Sequence, residues 1–156
     1  MKKGIFTGLI FFIVVFTACN NDVILQETKN FDNQEWIFSS PFNMNFAVQD
    51  KSRKYDIYYF ITHSEDYPFQ NIYLRITDDF SGKTRIDTVS IELMTKTGFW
   101  KGEKKHGFFR YEVPLHKNFL FPENKDSFHI KIEQFTRRDT LRGIKNTGIV
   151  IREIKK

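Results

Sequence analysis

Hydrophobic and polar residues alternate with a period of two in seven stretches of the chain. This period places successive side chains on opposite faces of an extended backbone and is typical of half-buried β-strands. The stretches lie at residues 44–48, 55–61, 72–76, 89–93, 109–113, 128–132 and 149–151. Charged or turn-forming residues separate several of them, as at 51–54 and 78–82. The pattern therefore predicts about seven short strands.

No stretch beyond residue 18 keeps the 3.6-residue period of a helix for three turns. Without crossover helices the strands cannot form a parallel βαβ sheet. We therefore predict an all-β fold, a single antiparallel β-sandwich of the jelly-roll or immunoglobulin-like type, with a β-barrel as the alternative. A chain of 156 residues is long enough for one such domain and too short for a multidomain enzyme.

The N-terminal segment has the layout of a secretory signal peptide. Lys2 and Lys3 precede an apolar run over residues 5–16, and small residues follow it. The uncharged stretch from residue 4 to residue 18 is 15 residues long. A membrane-spanning helix needs ~20 residues, so a plain transmembrane anchor is the weaker interpretation.

Cys19 is the single cysteine of the chain and stands directly after this segment. The sequence FTAC at residues 16–19 resembles the bacterial lipobox, whose cysteine is acylated and becomes the first mature residue, although Phe stands where Leu is commonest. An ordinary thiol is the alternative. We predict lipidation at Cys19 and membrane attachment through the lipid. The predicted organisation is a signal peptide at 1–18, a lipid-anchored tether at 19–30 and the β-sandwich domain at 31–156.

Net charge argues against nucleic-acid binding once export is considered. The full chain carries a formal charge of +5. Removing residues 1–18 takes away Lys2 and Lys3 and no acidic residue, so the charge falls to +3. No zinc-finger, helix-turn-helix or RNA-recognition signature is present, and we expect no nucleic-acid partner.

The residue types that carry catalysis form no recognisable motif. His63, His106, His116 and His129 show no metal-ligand spacing, and neither an H-E-x-x-H nor a G-x-S-x-G sequence occurs. Asp78 and Asp79 occur in a predicted turn without the pattern of a calcium loop. We therefore predict a protein that is not an enzyme and that has no metal or cofactor.

Two groups of residues are candidates for a contact surface. Trp36, Tyr67 and Trp100 stand in loop-like or edge contexts, where exposed rings can stack on sugars or anchor a protein partner. Burial in the core is the alternative for all three. The basic residues Arg137, Arg138 and Arg142, with Lys145 beyond them, form either a solvated loop or a patch that faces anionic lipid headgroups or an acidic partner.

Several segments taken together resemble the gliding motility lipoprotein family GldH of the Bacteroidetes. They are YPFQNIYL at 67–74, DTV at 87–89, GFWKG at 98–102, FP at 121–122, QFTRRDTLRGI at 134–144 and GIVIR at 148–152. The order and spacing of these segments over residues 31–153 carry the resemblance. It implies a membrane-anchored envelope component that is needed for gliding and works with the type IX secretion and motility machinery. It implies no enzymatic activity.

The leading prediction is a lipoprotein of the bacterial cell envelope that acts by protein–protein contacts within the gliding and secretion apparatus. Asn20 and Asn21 follow the cysteine in place of an acidic residue, which favours the outer membrane, on its periplasmic or surface side. The alternative is a surface carbohydrate-binding module that uses the exposed aromatic residues named above.

Overall fold

Strands form nearly all the regular structure of the described chain. The computed structural model describes residues 22–155. The strands are β1 (Val23–Asn30), β2 (Glu35–Ile37), β3 (Phe42–Phe46), β4 (Tyr55–Ser64), β5 (Asn71–Asp78), β6 (Arg85–Glu92), β7 (Glu103–Lys105), β8 (Phe108–Phe119), β9 (Phe128–Gln134), β10 (Thr140–Arg142) and β11 (Ile144–Glu153). A single 3-10 turn at Asp32–Gln34 precedes β2.

The strands are arranged in two open antiparallel sheets and one small ribbon. The larger sheet has the order β1-β11-β4-β8-β7, and the second sheet has the order β3-β9-β5-β6. The ribbon pairs β10 with β2. Neither large sheet closes on itself, so the prediction of an all-β antiparallel sandwich is confirmed and the barrel alternative is wrong.

The core lies between the two large sheets and is built from the apolar positions of the alternating strands. Ile57, Tyr59 and Ile61 of β4 are fully buried, as are Ile130 and Ile132 of β9. Aromatic rings fill one end of this core, where Phe121 lies 4.6 Å from the ring of Phe128 and 5.7 Å from that of Tyr55. Burial of alternate residues on facing strands is what holds the two sheets together.

All seven predicted strands are present, as β3, β4, β5, β6, β8, β9 and β11. Four strands were not predicted, and three of them are only three residues long. The fourth, β1, corrects the predicted domain boundary. Residues 23–30 are not a tether, because they pair antiparallel with β11 along their length, from Val23↔Arg152 to Asn30↔Asn146. The folded domain therefore begins at residue 23.

The sandwich has two distinct ends. The chain enters at Val23, next to Arg152, while Tyr55 at the start of β4 pairs with Phe119 at the end of β8. We call this the entry end. At the far end, Asn30 pairs with Asn146, and Ser64 closes β4. With ~3.3 Å of rise per residue, the ten residues of β4 separate the two ends by ~30 Å.

Candidate functional site

His63 is a histidine buried in the core of the described chain. His63 is fully buried at the far end of β4, 4.6 Å from the ring of Trp100, and its Nδ1 lies 2.9 Å from the carbonyl oxygen of Ser64. Burial lowers the pKa of His63, which therefore stays neutral near pH 7. Among residues 22–155, no three His, Cys, Asp or Glu side chains come together as a metal site. The absence of an enzymatic role stays a prediction.

Two of the three aromatic residues proposed for a contact surface are buried. Trp36 is 0% exposed, stacks on Phe31 at 5.0 Å and donates its Nε1 hydrogen to the carbonyl oxygen of Ser40. Tyr67 is 3% exposed. Neither ring is open to a sugar or a protein, because each buries a large apolar area in the core. Trp100 is partly buried and packs against the core cluster.

Other aromatic residues are exposed at the far end. Phe69 follows the buried Tyr67 and is 36% exposed, and Phe135 follows β9 and is 44% exposed. The backbone nitrogen of Phe135 donates to the carbonyl oxygen of Tyr73 on β5. Because Tyr73 is only four residues after Phe69, this hydrogen bond brings Phe135 to the same region as Phe69. Phe135 directly follows β9 and Phe69 precedes β5 by two residues, and this position next to a predicted strand is the signal in the sequence that could distinguish them from core residues.

An open cleft with a volume of about 700 Å³ lies at this end. One wall is formed by Pro68 and Phe69, and the other by residues 137–140 together with Arg142. The three arginines proposed for a contact surface are therefore brought together, although Tyr67, Trp36 and Trp100 do not line the cleft. We call this feature the arginine cleft.

A buried glutamine holds the loop that carries the arginines. Gln134 is 0% exposed at the end of β9, and its Nε2 donates to the carbonyl oxygen of Arg138 over 2.8 Å. Its Oε1 accepts hydrogen bonds from the hydroxyl of Thr136 at 2.7 Å and from the backbone nitrogen of Thr136 at 3.2 Å. The Thr136 hydroxyl in turn accepts from the backbone nitrogen of Arg138. The backbone of this exposed loop is thus fixed from inside the fold.

The two walls are joined beneath the cleft at Gly143. Its carbonyl oxygen accepts a hydrogen bond from the backbone nitrogen of Ser64, over 2.7 Å. Its φ of +87° is a left-handed conformation that glycine adopts without strain. A Cβ at this position would lie 2.9 Å from the Ser64 hydroxyl and 3.3 Å from Cα of Tyr67. Gly143 therefore allows the arginine wall to pack directly on the Tyr67 segment.

Ion pairing distinguishes Arg137 and Arg138 from the other arginines of residues 22–155. Arg142 is 83% exposed and pairs with Glu35 at 3.2 Å. Arg137 and Arg138 are exposed and make no ion pair with any carboxylate of residues 22–155. Their guanidinium groups present rigid forks of donors that suit carboxylate and phosphate oxygens. The cleft therefore combines an apolar wall with two guanidinium groups that have no ion pair, next to the exposed carboxylate of Asp139.

The fold and this surface define the class of protein: an antiparallel β-sandwich domain with a charged cleft at one end. The comparison with known families is more specific. The model of the GldH lipoprotein family matches residues 23–151, and the chain belongs to this family. The match begins at the first residue of β1.

Two curated relatives agree with this assignment. The chain is 25% identical over 150 residues to a protein named gliding motility lipoprotein GldH homolog from Christiangramia forsetii, with 91% of each chain covered. It is 21% identical over 148 residues to the gliding motility lipoprotein GldH of Flavobacterium johnsoniae, with 90% of this chain and 91% of the relative covered. The predicted family resemblance is confirmed.

Two predicted features belong to the N-terminus. The signal peptide at 1–18 and the lipidated Cys19 both lie outside the described residues. Within residues 22–155, no helix has the length and apolar character that crossing a membrane requires.

Proposed function

We propose that the protein is a lipoprotein of the bacterial cell envelope, anchored at Cys19, that takes part in gliding motility through protein–protein contacts with the gliding and type IX secretion machinery. The observation that carries this proposal is the family membership over residues 23–151 together with the lipobox-like sequence that directly precedes the folded domain. The names of the two relatives support the motility role.

The distance between Cys19 and the fold supports a domain held close to the membrane. Only residues 20–22 separate Cys19 from Val23, where β1 begins. An extended chain spans at most ~3.6 Å per residue, so Cα of Val23 lies within ~14 Å of Cα of Cys19. A lipid at Cys19 would therefore hold the entry end next to the bilayer. In an upright domain the arginine cleft would then lie ~30 Å further out.

The outer membrane is the proposed location, on its periplasmic or surface side. Asn20 and Asn21 support it, since no acidic residue directly follows the cysteine. Fractionation of the two membranes of the native cell, with the protein detected by antibody, tests this part separately. Recovery in the inner-membrane fraction would contradict it.

The three rings named for the surface carbohydrate-binding alternative give it less support than the exposed far end gives to protein contact. The alternative needs flat rings open to solvent at Trp36, Tyr67 or Trp100. The first two are buried and the third is partly buried against the core. Contacts to protein through the exposed far end are therefore the better supported function.

Metabolic labelling with palmitate tests the anchor. The wild-type protein should incorporate label and sediment with membranes, whereas a Cys19→Ala variant should be unlabelled and should fail to restore colony spreading to a deletion strain. A Cys19→Ala variant labelled as strongly as the wild type would contradict the proposed anchor. Normal spreading of the deletion strain would contradict the motility role.

A further inference from the structure

We propose that the arginine cleft binds an acidic segment of a partner protein that also carries an apolar side chain. This inference rests on the proposed function, because it names the chemistry of the partner that the protein–protein contact would require. The carboxylates of the segment would pair with Arg137 and Arg138, and its apolar side chain would pack on Pro68 and Phe69.

The first argument is the pairing of arginines across the molecule. The chain has eight arginines, and all lie in the described part. Six form ion pairs with carboxylates, namely Arg53, Arg75, Arg85, Arg110, Arg142 and Arg152. Among residues 22–155, Arg137 and Arg138 alone among the arginines have no such partner, and both line the cleft. Carboxylates from outside the chain would complete the pattern.

The second argument is the preorganisation of the arginine wall. Exposed loops lose conformational freedom when they bind, and this loss weakens association. The loop carrying Arg137 and Arg138 is already fixed, since the buried Gln134 bonds to the carbonyl oxygen of Arg138 and to Thr136. The backbone of the loop is therefore held in place before any partner binds.

The third argument distinguishes a protein segment from other anions. Phe69 forms part of the cleft and is 36% exposed, and Phe135, 44% exposed, adjoins the arginine loop. Inorganic phosphate would leave these rings in water. A peptide with both acidic and apolar side chains would cover the rings and pair the arginines at the same time.

The fourth argument concerns lipid headgroups. The cleft lies at the end of the sandwich opposite Val23, and a lipid at Cys19 would hold Val23 near the bilayer. Residues 20–22 extend the reach of the anchor by at most ~14 Å, so the far end would meet the same membrane only in a domain lying on its side. A protein that approaches from beyond the membrane surface is therefore the occupant that this placement favours.

Binding of defined peptides to the full-length lipoprotein in detergent tests the inference. One fluorescent probe is a short peptide of alternating Glu and Phe, and the other is its uncharged twin of alternating Gln and Phe. Fluorescence anisotropy should show saturable, salt-sensitive binding of the acidic peptide. The Arg137→Gln, Arg138→Gln double variant should weaken it about tenfold or more, because charge-assisted hydrogen bonds are lost. The matched control is the Lys54→Gln, Lys83→Gln double variant, which removes the same charge from exposed positions elsewhere. It should change the affinity less than about twofold, since only the long-range charge differs.

Several outcomes would overturn the inference. They are equal binding of the two peptides, no binding of the acidic peptide at millimolar concentration, and equal losses in the two double variants. Vesicles of phosphatidylcholine and phosphatidylglycerol provide a further arm. Tighter binding to these vesicles than to the peptide, with dependence on Arg137 and Arg138, would identify a lipid occupant instead. The palmitate and spreading experiments do not depend on peptide binding. If the protein binds the acidic peptide but the deletion strain spreads normally, only the proposed function is contradicted.

Discussion

Gly148 lies where the larger sheet leaves no room for a side chain, and Gly148→Ala is expected to loosen β1 from the sheet. Gly148 is in β11 between β1 and β4, opposite Thr28 and Phe60. A Cβ at this position would lie 1.9 Å from the carbonyl oxygen of Glu27 in β1 and 2.8 Å from the ring of Phe60. Because backbone cannot rotate out of the way as a side chain can, β1 would have to move.

The expected cost follows from this geometry. Forcing extra atoms into a packed site costs typically ~1–3 kcal/mol, and contact with backbone places Gly148→Ala at the upper limit, about 3 kcal/mol. For a chain of this size, that corresponds to a fall in melting temperature of about 10 °C. Urea unfolding followed by tryptophan fluorescence measures it, since Trp36 is buried and Trp100 partly buried.

Gly82 is the matched control. Its φ is +87°, but no heavy atom lies within 4 Å of a Cβ built there. Gly82→Ala therefore incurs only the strain of a left-handed alanine, about 1 kcal/mol. Phe60→Leu and Gly148→Ala together should cost less than the sum of the two single changes, because one of the two clashes is with the Phe60 ring. Gly148→Ala with a stability within about 0.5 kcal/mol of the wild type would refute this account of the sheet.

Three further predictions concern buried polar and aromatic residues. Burial lowers the pKa of His63 below 6.5, so the unfolded chain binds a proton more readily and stability should fall as the pH drops below 6.5. Urea unfolding of His63→Phe at a series of pH values should show a weaker dependence of the unfolding free energy on pH. Some dependence should remain, because burial also lowers the pKa of His116. The same dependence in the variant and the wild type would contradict the prediction. Gln134→Met should preserve the volume of the side chain but remove the hydrogen bonds that hold the loop of Arg138. Hydrogen exchange of the Arg138 amide should therefore accelerate, while a core amide such as that of Ile61 keeps its protection. Equal exchange rates of the Arg138 amide in the variant and the wild type would contradict the prediction. Trp36→Ala should cost about 3–5 kcal/mol by urea unfolding, because the ring is fully buried, and a loss below about 1 kcal/mol would show that the ring is not in the core.

The strands of the core could be predicted because their residues alternate. Tyr55–Ser64 and Asn71–Asp78 carry apolar side chains at every second position, and these are the positions that face the opposite sheet. Val23–Asn30 could not be recognised in this way. It is an edge strand that pairs with β11 alone, and most of its residues after Leu25 are polar. Its place in the sheet depends on β11, more than one hundred residues further along the chain.

The residues of the arginine cleft could be predicted from the sequence only in part. Arg137, Arg138 and Arg142 could be selected because they are clustered in sequence. Nothing in the sequence shows that Phe69 forms the facing wall, because the two segments are joined through the contact of Gly143 with Ser64 and Tyr67. The burial of Trp36 and Tyr67 could not be predicted either, since a large ring suits a core and a contact surface equally well.

Photo-crosslinking in living cells tests most directly whether the protein acts through contacts made at its far end. A photoreactive phenylalanine analogue would be placed at position 69 in the cleft and, as control, at position 86 on the exposed side of β6, where Ile86 is 66% exposed. We predict a discrete protein adduct from position 69, attached to an acidic segment of the partner and lost in the Arg137→Gln, Arg138→Gln variant. No adduct from position 69, or the same adducts from both positions, would contradict the account.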